Sequence, residues 1–221
     1  QLKGCFEISS VLGLSAFISE IYEADDIIGT LGHNIRKESE LTSLRILTKD
    51  KDLAQLLLTA DDFLWDYSAN RTRCREDIPK EFGVLPEHFP DYLGLIGDAV
   101  DCIKGVPGIG PVKAKVLLKE FDSLEKIYEN LEKISELPIA GAKGLAAKLK
   151  NNKDLAFLSK RLATIVCSVE NFEESFGSAS LNALQIKQVK QVEFDSFLNK
   201  YDFKESEREN LMRIISSIIA R

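Results

Sequence analysis

What the sequence is short of already narrows its chemistry. It has two histidines, His33 and His88, far apart and with no Cys or His partner at ligand spacing. Both read as structural or surface residues, so any catalysis must lean on carboxylates. The four cysteines, Cys5, Cys74, Cys102 and Cys167, are scattered, and no C-x-x-C occurs. With no secretory leader either, they read as reduced thiols of a cytosolic protein and not as disulfides or a zinc site. No apolar run approaches the roughly 18 residues of a membrane span. No repeat or low-complexity tract is present, and a hydrophobic content of 44% is too high for disorder. The 221 residues suffice for one or two domains with a core. The net charge of −6 seems to speak against nucleic acid, but it is unevenly spread. Residues 1–92 carry 10 Lys/Arg against 17 Asp/Glu, whereas residues 93–165 carry 12 against 9.

Periodicity divides the chain into an α/β part and an all-helical part. Residues 2–14 read as the middle of an amphipathic helix that starts without Met, so a fragment lacking its true N-terminus is expected. A short strand follows at Ala16-Phe17-Ile18. Glu23 to Arg36 reads as a helix with Ile27, Ile28, Leu31 and Ile35 on one face. Strands are expected at Leu44–Thr48 and Phe63–Tyr67, the second followed by a polar turn, with a helical turn over Asp52–Leu58. That rhythm predicts a layered domain with parallel pairing. Beyond residue 88 the pattern becomes helical: Phe89–Asp98, Pro111–Phe121, Ser123–Asn130, Ala142–Asn151, Asp154–Ile165, 193–200 and 206–220, with 166–180 looser.

Three acidic clusters stand out. Glu23, Asp25 and Asp26 open a helix. Asp50 and Asp52 follow a strand and would point the same way in extended backbone. Asp98 and Asp101 are expected on one helical face. Two clusters follow strands (16–18 and 44–48), so parallel strands would bring both to one sheet edge, where such folds place ligands. Seven gathered carboxylates demand a cation, and hard oxygen ligands suit Mg²⁺ or Mn²⁺. Two ions about 4 Å apart can clamp an in-line phosphoryl displacement. Blander readings stand beside this one. Acidic residues in a first helical turn favour the helix dipole, and Asp50 and Asp52, alternating with lysines, suit a solvated loop.

Gly105-Val106-Pro107-Gly108-Ile109-Gly110 joins two helices and is followed by Lys113 and Lys115. Its glycines allow close backbone approach, and the N–H groups at the start of the next helix attract anions. The pattern is that of a helix-hairpin-helix, over 103–121, which grips phosphates without reading bases. An ordinary helical corner is the alternative. Lys143, Lys148, Lys150, Lys153, Lys160 and Arg161 form a basic stretch opposed only by Asp154. It reads either as a solubilising face or as a phosphate-tracking surface.

The motifs Y-E-A-D-D-I-I-G-T (22–30), I-L-T-K-D-K-D-L-A-Q-L-L (46–57), Y-L-G-L-I-G-D-A-V-D (92–101), G-V-P-G-I-G-P-V-K-A (105–114) and A-F-L-S-K-R-L-A-T-I (156–165) occur in that order. Together they make the chain resemble the bacterial 5′-3′ exonuclease and flap endonuclease family. That family includes the 5′-nuclease domain of DNA polymerase I, and the stretches 81–92 and 121–131 look closest to stand-alone homologues of the exonuclease IX type. The resemblance implies the C-terminal part of a PIN-like α/β catalytic domain over 1–88. It implies a helical, SAM-like helix-three-turn-helix DNA-binding domain over 89–221. Glu23, Asp25 and Asp26 would serve one Mg²⁺ or Mn²⁺ ion, and Asp50, Asp52, Asp98 and Asp101 a second. Backbone carbonyls of Val106 and Ile109 would hold K⁺. Gly105, Gly108, Gly110, Lys113, Lys115 and Lys143 would contact DNA bearing a 5′ flap or 5′ end. The implied protein is a monomer of the bacterial cytoplasm, with no membrane partner, acting in Okazaki fragment processing and repair. The family's first metal-binding aspartates and its basic arch lie upstream of the Glu-Ala-Asp-Asp motif, by more residues than this chain has there. Cys102 and Lys104 stand where Asn and Pro are common. Two readings therefore stand: a metal-dependent nuclease, or a flap-DNA-binding fragment or paralogue without turnover.

Overall fold

The structure is a computed structural model and describes residues 2–169 and 174–219. Its helices are α1 (Leu2–Val11), α2 (Ala24–Glu38), α3 (Asp77–Phe82), α4 (Phe89–Ile96), α5 (Pro111–Phe121), α6 (Leu124–Glu129), α7 (Ala142–Asn151), α8 (Lys153–Ala163), α9 (Gln191–Lys200) and α10 (Glu205–Ile219). The strands are β1 (Arg45–Leu47), β2 (Phe63–Asp66) and β3 (Arg71–Cys74). Short 3₁₀ segments lie at Asp52–Leu56, Pro86–His88 and Leu131–Glu136. The chain forms two compact units, Glu23–Val169 and a second made of Gln1–Tyr22 with Glu170–Arg221.

In the unit made from both ends of the chain, α1, α9 and α10 close a small core of Val11, Phe194, Phe197, Leu198 and Ile215. The helix expected over 2–14 stops at Val11, because Gly13 turns left-handed (φ 75°) and Leu14 N–H bonds back to the Ser9 carbonyl. The strand expected at Ala16–Ile18 does not form. The segment is irregular and joins no ladder among the described residues, and extended chain without a partner is not a strand.

In the Glu23–Val169 unit, β1 runs parallel to β2 in the register Arg45↔Phe63, Ile46↔Leu64, Leu47↔Trp65. The third strand, antiparallel to β2, occupies what the sequence offers as a polar turn. Its residues, Arg-Thr-Arg-Cys, carry no apolar alternation. The hairpin is held instead by its turn, where the Asp66 carboxylate accepts from Ser68 Oγ (2.7 Å) and the Ala69 N–H (3.1 Å).

Helix α4 is the core of this unit. Residues Phe89 to Leu95 are all buried, the mark of a helix enclosed on every side. It packs on α5, α6 and α8. Contact with α8 is close, since a Cβ at Gly94 would lie 2.9 Å from Lys160 Cβ. Two buried carboxylates organise the surroundings. Asp91 accepts the Leu124 N–H (2.7 Å) at the start of α6 and pairs with Lys160 (2.7 Å). Asp62, fully buried, accepts the N–H groups of Leu44 (2.7 Å), Leu58 (2.8 Å) and Thr59 (2.7 Å) and pairs with Arg36 (2.6 Å). It thereby pins α2, the entry to β1 and the approach to β2 to one point.

Candidate metal centre and nucleic-acid interface

Three segments of the Glu23–Val169 unit deliver the acidic residues. The first is the start of α2, where Glu23 is the N-cap and Asp25 and Asp26 lie in the first turn. The second is the bend after β1. There Thr48 Oγ1 accepts the Asp50 N–H and Asp50 Oδ1 accepts the Asp52 N–H, each at 2.9 Å. Asp52 then opens the 3₁₀ turn. These local bonds, and not extended backbone, aim Asp50 and Asp52.

The third segment corrects an expectation. Asp98 and Asp101 do not share a helical face, because α4 ends at Ile96 and Gly97 turns left-handed (φ 75°). Asp98 and Ile103 then exchange backbone hydrogen bonds of 2.8 and 2.7 Å, closing a tight loop. A Cβ on Gly97 would fall 2.5 Å from the Ile103 carbonyl oxygen, so the crossing needs glycine. Asp98 Oδ1 accepts the Val100 N–H (2.8 Å) inside this loop. Cys102 takes a left-handed conformation (φ 59°), the region that Asn tolerates better than most residues.

Glu23, Asp25, Asp26, Asp50, Asp52 and Asp101 line one cavity of about 520 Å³. Asp98 joins them from one side, since ligand oxygens of Asp52, Asp98 and Asp101 lie within 4.8 Å of one another. The far wall is the chain from Arg161 to Val166. This wall is bonded in place. Asp26 Oδ1 accepts the Val166 N–H (2.9 Å), while Gln55 donates to the Ala163 carbonyl (2.8 Å) and accepts from the Ile165 N–H (3.3 Å). The sequence does not single out Gln55 or the wall, although Gln55 and the wall up to Ile165 fall within motifs already marked.

Burial, reinforced by Asp50, Asp52, Glu23 and Asp26, pushes the Asp25 carboxyl up to about 6. Burial also raises Asp52, against the pull of Lys51. Asp98 stays below the ordinary carboxylate value. Burial opposes its charge, but Lys51 and the Val100 N–H outweigh that cost. Lys51 reaches Asp52 Oδ1 at 3.1 Å and Asp98 Oδ2 at 2.5 Å. The Asp52 contact is an ion pair without hydrogen-bond geometry, and this buried oxygen has no hydrogen-bond partner. A buried carboxylate oxygen met by one ammonium outside hydrogen-bond geometry, among further carboxylates, can join a donor set for a hard divalent cation. The residues present therefore fit such an ion.

The glycine turn lies in the same unit. The Val106 N–H bonds to the Leu95 carbonyl and the Gly105 N–H to Ser159 Oγ, tying the turn to α4 and α8. Gly110 caps α5, whose first residue is Pro111. Lys113 Nζ donates to the Gly108 carbonyl (3.2 Å), and Lys148 Nζ lies beside Gly108, 2.9 Å from where a Cβ would stand. Lys143 is exposed in the first turn of α7. Lys115 instead runs alongside Gly83. Val106 and Ile109 are buried, and the Val106 carbonyl accepts the Ile109 N–H (3.0 Å). The basic stretch is not uniform. Lys160 is paired with Asp91 and Glu125, Lys153 lies over the rings of Tyr128 and Phe157, and Arg161 faces the acidic cavity.

Comparison with known proteins identifies two family segments in the chain. Residues 1–83 match the family described as 5′-3′ exonuclease, N-terminal resolvase-like domain, and residues 84–192 the 5′-3′ exonuclease, C-terminal SAM fold. A 5′-3′ exonuclease of Buchnera aphidicola is 40% identical over 165 residues, covering 75% of this chain and 57% of the relative. DNA polymerase I of Pseudomonas aeruginosa is 44% identical over 160 residues, covering 72% of this chain and 17% of that protein. The chain thus spans little more than half the length of the curated exonuclease it matches. Among solved structures, T5 5′-exonuclease with bound zinc superposes at a TM-score of 0.62 with 22% identity, covering 90% of this chain and 65% of that one. The catalytic core of Rad2 in complex with DNA substrate superposes at 0.60 with 18% identity, covering 97% and 68%. Both share the fold, an α/β resolvase-like part followed by a helical SAM-like part. The chain belongs to the 5′-3′ exonuclease family.

Proposed function

We propose that this chain carries the metal centre and the duplex grip of a 5′-3′ exonuclease and flap endonuclease, acting on DNA with a 5′ flap or 5′ end in the bacterial cytoplasm. The observation that supports it most is the six-carboxylate cavity, in the same unit as a glycine turn flanked by Lys113 and Lys148. Glu23, Asp25 and Asp26 are the ligands proposed for one Mg²⁺ or Mn²⁺ ion, and Asp50, Asp52, Asp98 and Asp101 for a second. Bound divalent ions supply an activated water and neutralise charge on the phosphate and the leaving oxygen. The protein's own part is positional. The turn at 48–52 and the loop at 97–103 fix the carboxylates before any ligand arrives, and the 163–166 wall keeps one side of the cavity closed. Gly105, Gly108, Gly110, Lys113, Lys115 and Lys143 are proposed to hold the phosphate backbone without reading bases. The Val106 and Ile109 carbonyls are proposed for K⁺ at the turn. The proposed domain division is catalytic residues in 1–88 and DNA grip in 89–221, with Asp98 and Asp101 reaching back across it, and the proposed working form is a monomer.

The test is turnover of a 5′-flapped duplex with Mg²⁺ by the full-length protein. Asp50→Asn and Asp98→Asn should each lower turnover by about 10²-fold or more, the scale of lost electrostatic stabilisation at a reacting centre. Flap affinity measured in Ca²⁺ should stay within about threefold, because phosphate contacts dominate it. Turnover equal to the parent protein in both variants would refute the assignment.

A further inference from the structure

One cation is already built into the carboxylate cluster. The Lys51 ammonium lies 3.1 Å from Asp52 Oδ1 and 2.5 Å from Asp98 Oδ2, and its side chain is 35% exposed. Asp52 and Asp98 belong to the group whose oxygens gather within 4.8 Å. A divalent ion shared by those two carboxylates would sit at about 2.0–2.6 Å from each oxygen. It would crowd the ammonium both sterically and by like charge. The lysine can yield, because four flexible methylenes carry its head and one side faces solvent.

We propose that Lys51 is an exchangeable internal cation, which bridges Asp52 and Asp98 whenever no divalent ion is bound and swings out of the cluster when one binds. This rests on the reading of these carboxylates as metal ligands and adds a competitor for the same oxygens. Lys51 then has two opposed effects. It relieves carboxylate repulsion in the ion-free protein, and it lowers divalent affinity, because the ion must first displace it. Ion binding thereby releases an ammonium at the edge of the cavity.

The experiment is Mn²⁺ binding to EDTA-stripped, dialysed protein, by calorimetry and by the electron paramagnetic resonance signal of free Mn²⁺. No nucleic acid or turnover is involved. Lys51→Met should bind Mn²⁺ about tenfold or more tightly than the parent protein, the scale of one unit charge removed at ion-pair distance. Lys49→Met is the control for general charge. Lys49 is exposed on the same loop and its charge acts on Asp66, so the affinity should move by about twofold or less. In EDTA the Lys51→Met protein should melt lower than the parent, and saturating Mn²⁺ should close or reverse the gap. Should Lys51→Met not fold in EDTA, Lys51→Gln is judged by the same affinity criterion. Unchanged or weaker Mn²⁺ binding in the Lys51 variants overturns the exchange. A gain matched by Lys49→Met overturns it too. Asp52→Asn separates the two layers. If the parent protein binds no Mn²⁺, or Asp52→Asn binds it as well as the parent, the metal reading itself fails.

Discussion

Replacing Asp62 with Ala should be among the most damaging single changes in the chain, though it is remote from any proposed chemistry. The carboxylate is fully buried and serves four donors: the N–H groups of Leu44, Leu58 and Thr59, and the Arg36 guanidinium. Arg36 is itself only 14% exposed and has a second anchor in the Leu56 carbonyl. Removing one partner of a buried ion pair costs about 3–5 kcal/mol. Each orphaned N–H costs about 1–3 kcal/mol where water cannot replace the acceptor. Leu58 and Thr59 lie near the surface and can recover water, so about 4–6 kcal/mol is the expected loss, a large part of a typical domain's stability. Trp65, the sole tryptophan, lies in β2 close to the site and reports urea unfolding by fluorescence. The pH dependence carries a sign. Burial works against the Asp62 charge, but the Leu44 and Thr59 N–H groups, Arg36 and the Leu58 N–H hold its folded pKa below the ordinary value. Its contribution is therefore complete above the unfolded carboxylate value of about 3.9 and is lost as pH falls through the lower folded value. The Ala variant should show a shallower acid dependence in that window. A loss under about 1 kcal/mol with an unchanged acid limb would refute the reasoning.

Other outcomes follow from the same geometry. Gly97→Ala forces a Cβ to within 2.5 Å of the Ile103 carbonyl at φ 75°, so it should cost about 1–3 kcal/mol and lower Mn²⁺ affinity through the Asp98–Asp101 loop, read by thermal melting and calorimetry. Lys160→Met strips the buried Asp91 of its counter-charge and should destabilise by about 3 kcal/mol, while leaving the salt slope of flap binding unchanged. Lys148→Ala, beside Gly108, should do the reverse, weakening flap binding and reducing that slope by about one with little change in melting temperature.

The sequence exposed what depends on period and spacing. The helices from Pro111 to Ala163 lie where the sequence places them, the first with Pro at its start, with ends displaced by at most a residue or two. Less legible was what depends on local hydrogen bonding. The β3 strand lacks alternation because its stability comes from Asp66 and from pairing with β2. Asp98 reads as helical because the apolar run of α4 leads straight into it, whereas Gly97 stops the helix one residue earlier. All seven acidic candidates are identifiable as clustered carboxylates at the ends of apolar elements, and the structure gathers them. Their real neighbours, Lys51, Gln55 and the Ala163–Val166 backbone, were hidden, because their roles arise from contacts between distant segments.

The Asp26–Val166 bond spans 140 residues of sequence. Contacts of such separation form late, after most of the loop-closure entropy has been overcome. During synthesis all seven carboxylates are in the chain once residue 101 is added, yet the backbone that walls their cavity follows some sixty residues later. A nascent chain therefore holds these seven carboxylates well before it holds the chamber, and the cavity is closed only when the 161–166 backbone has folded back upon them.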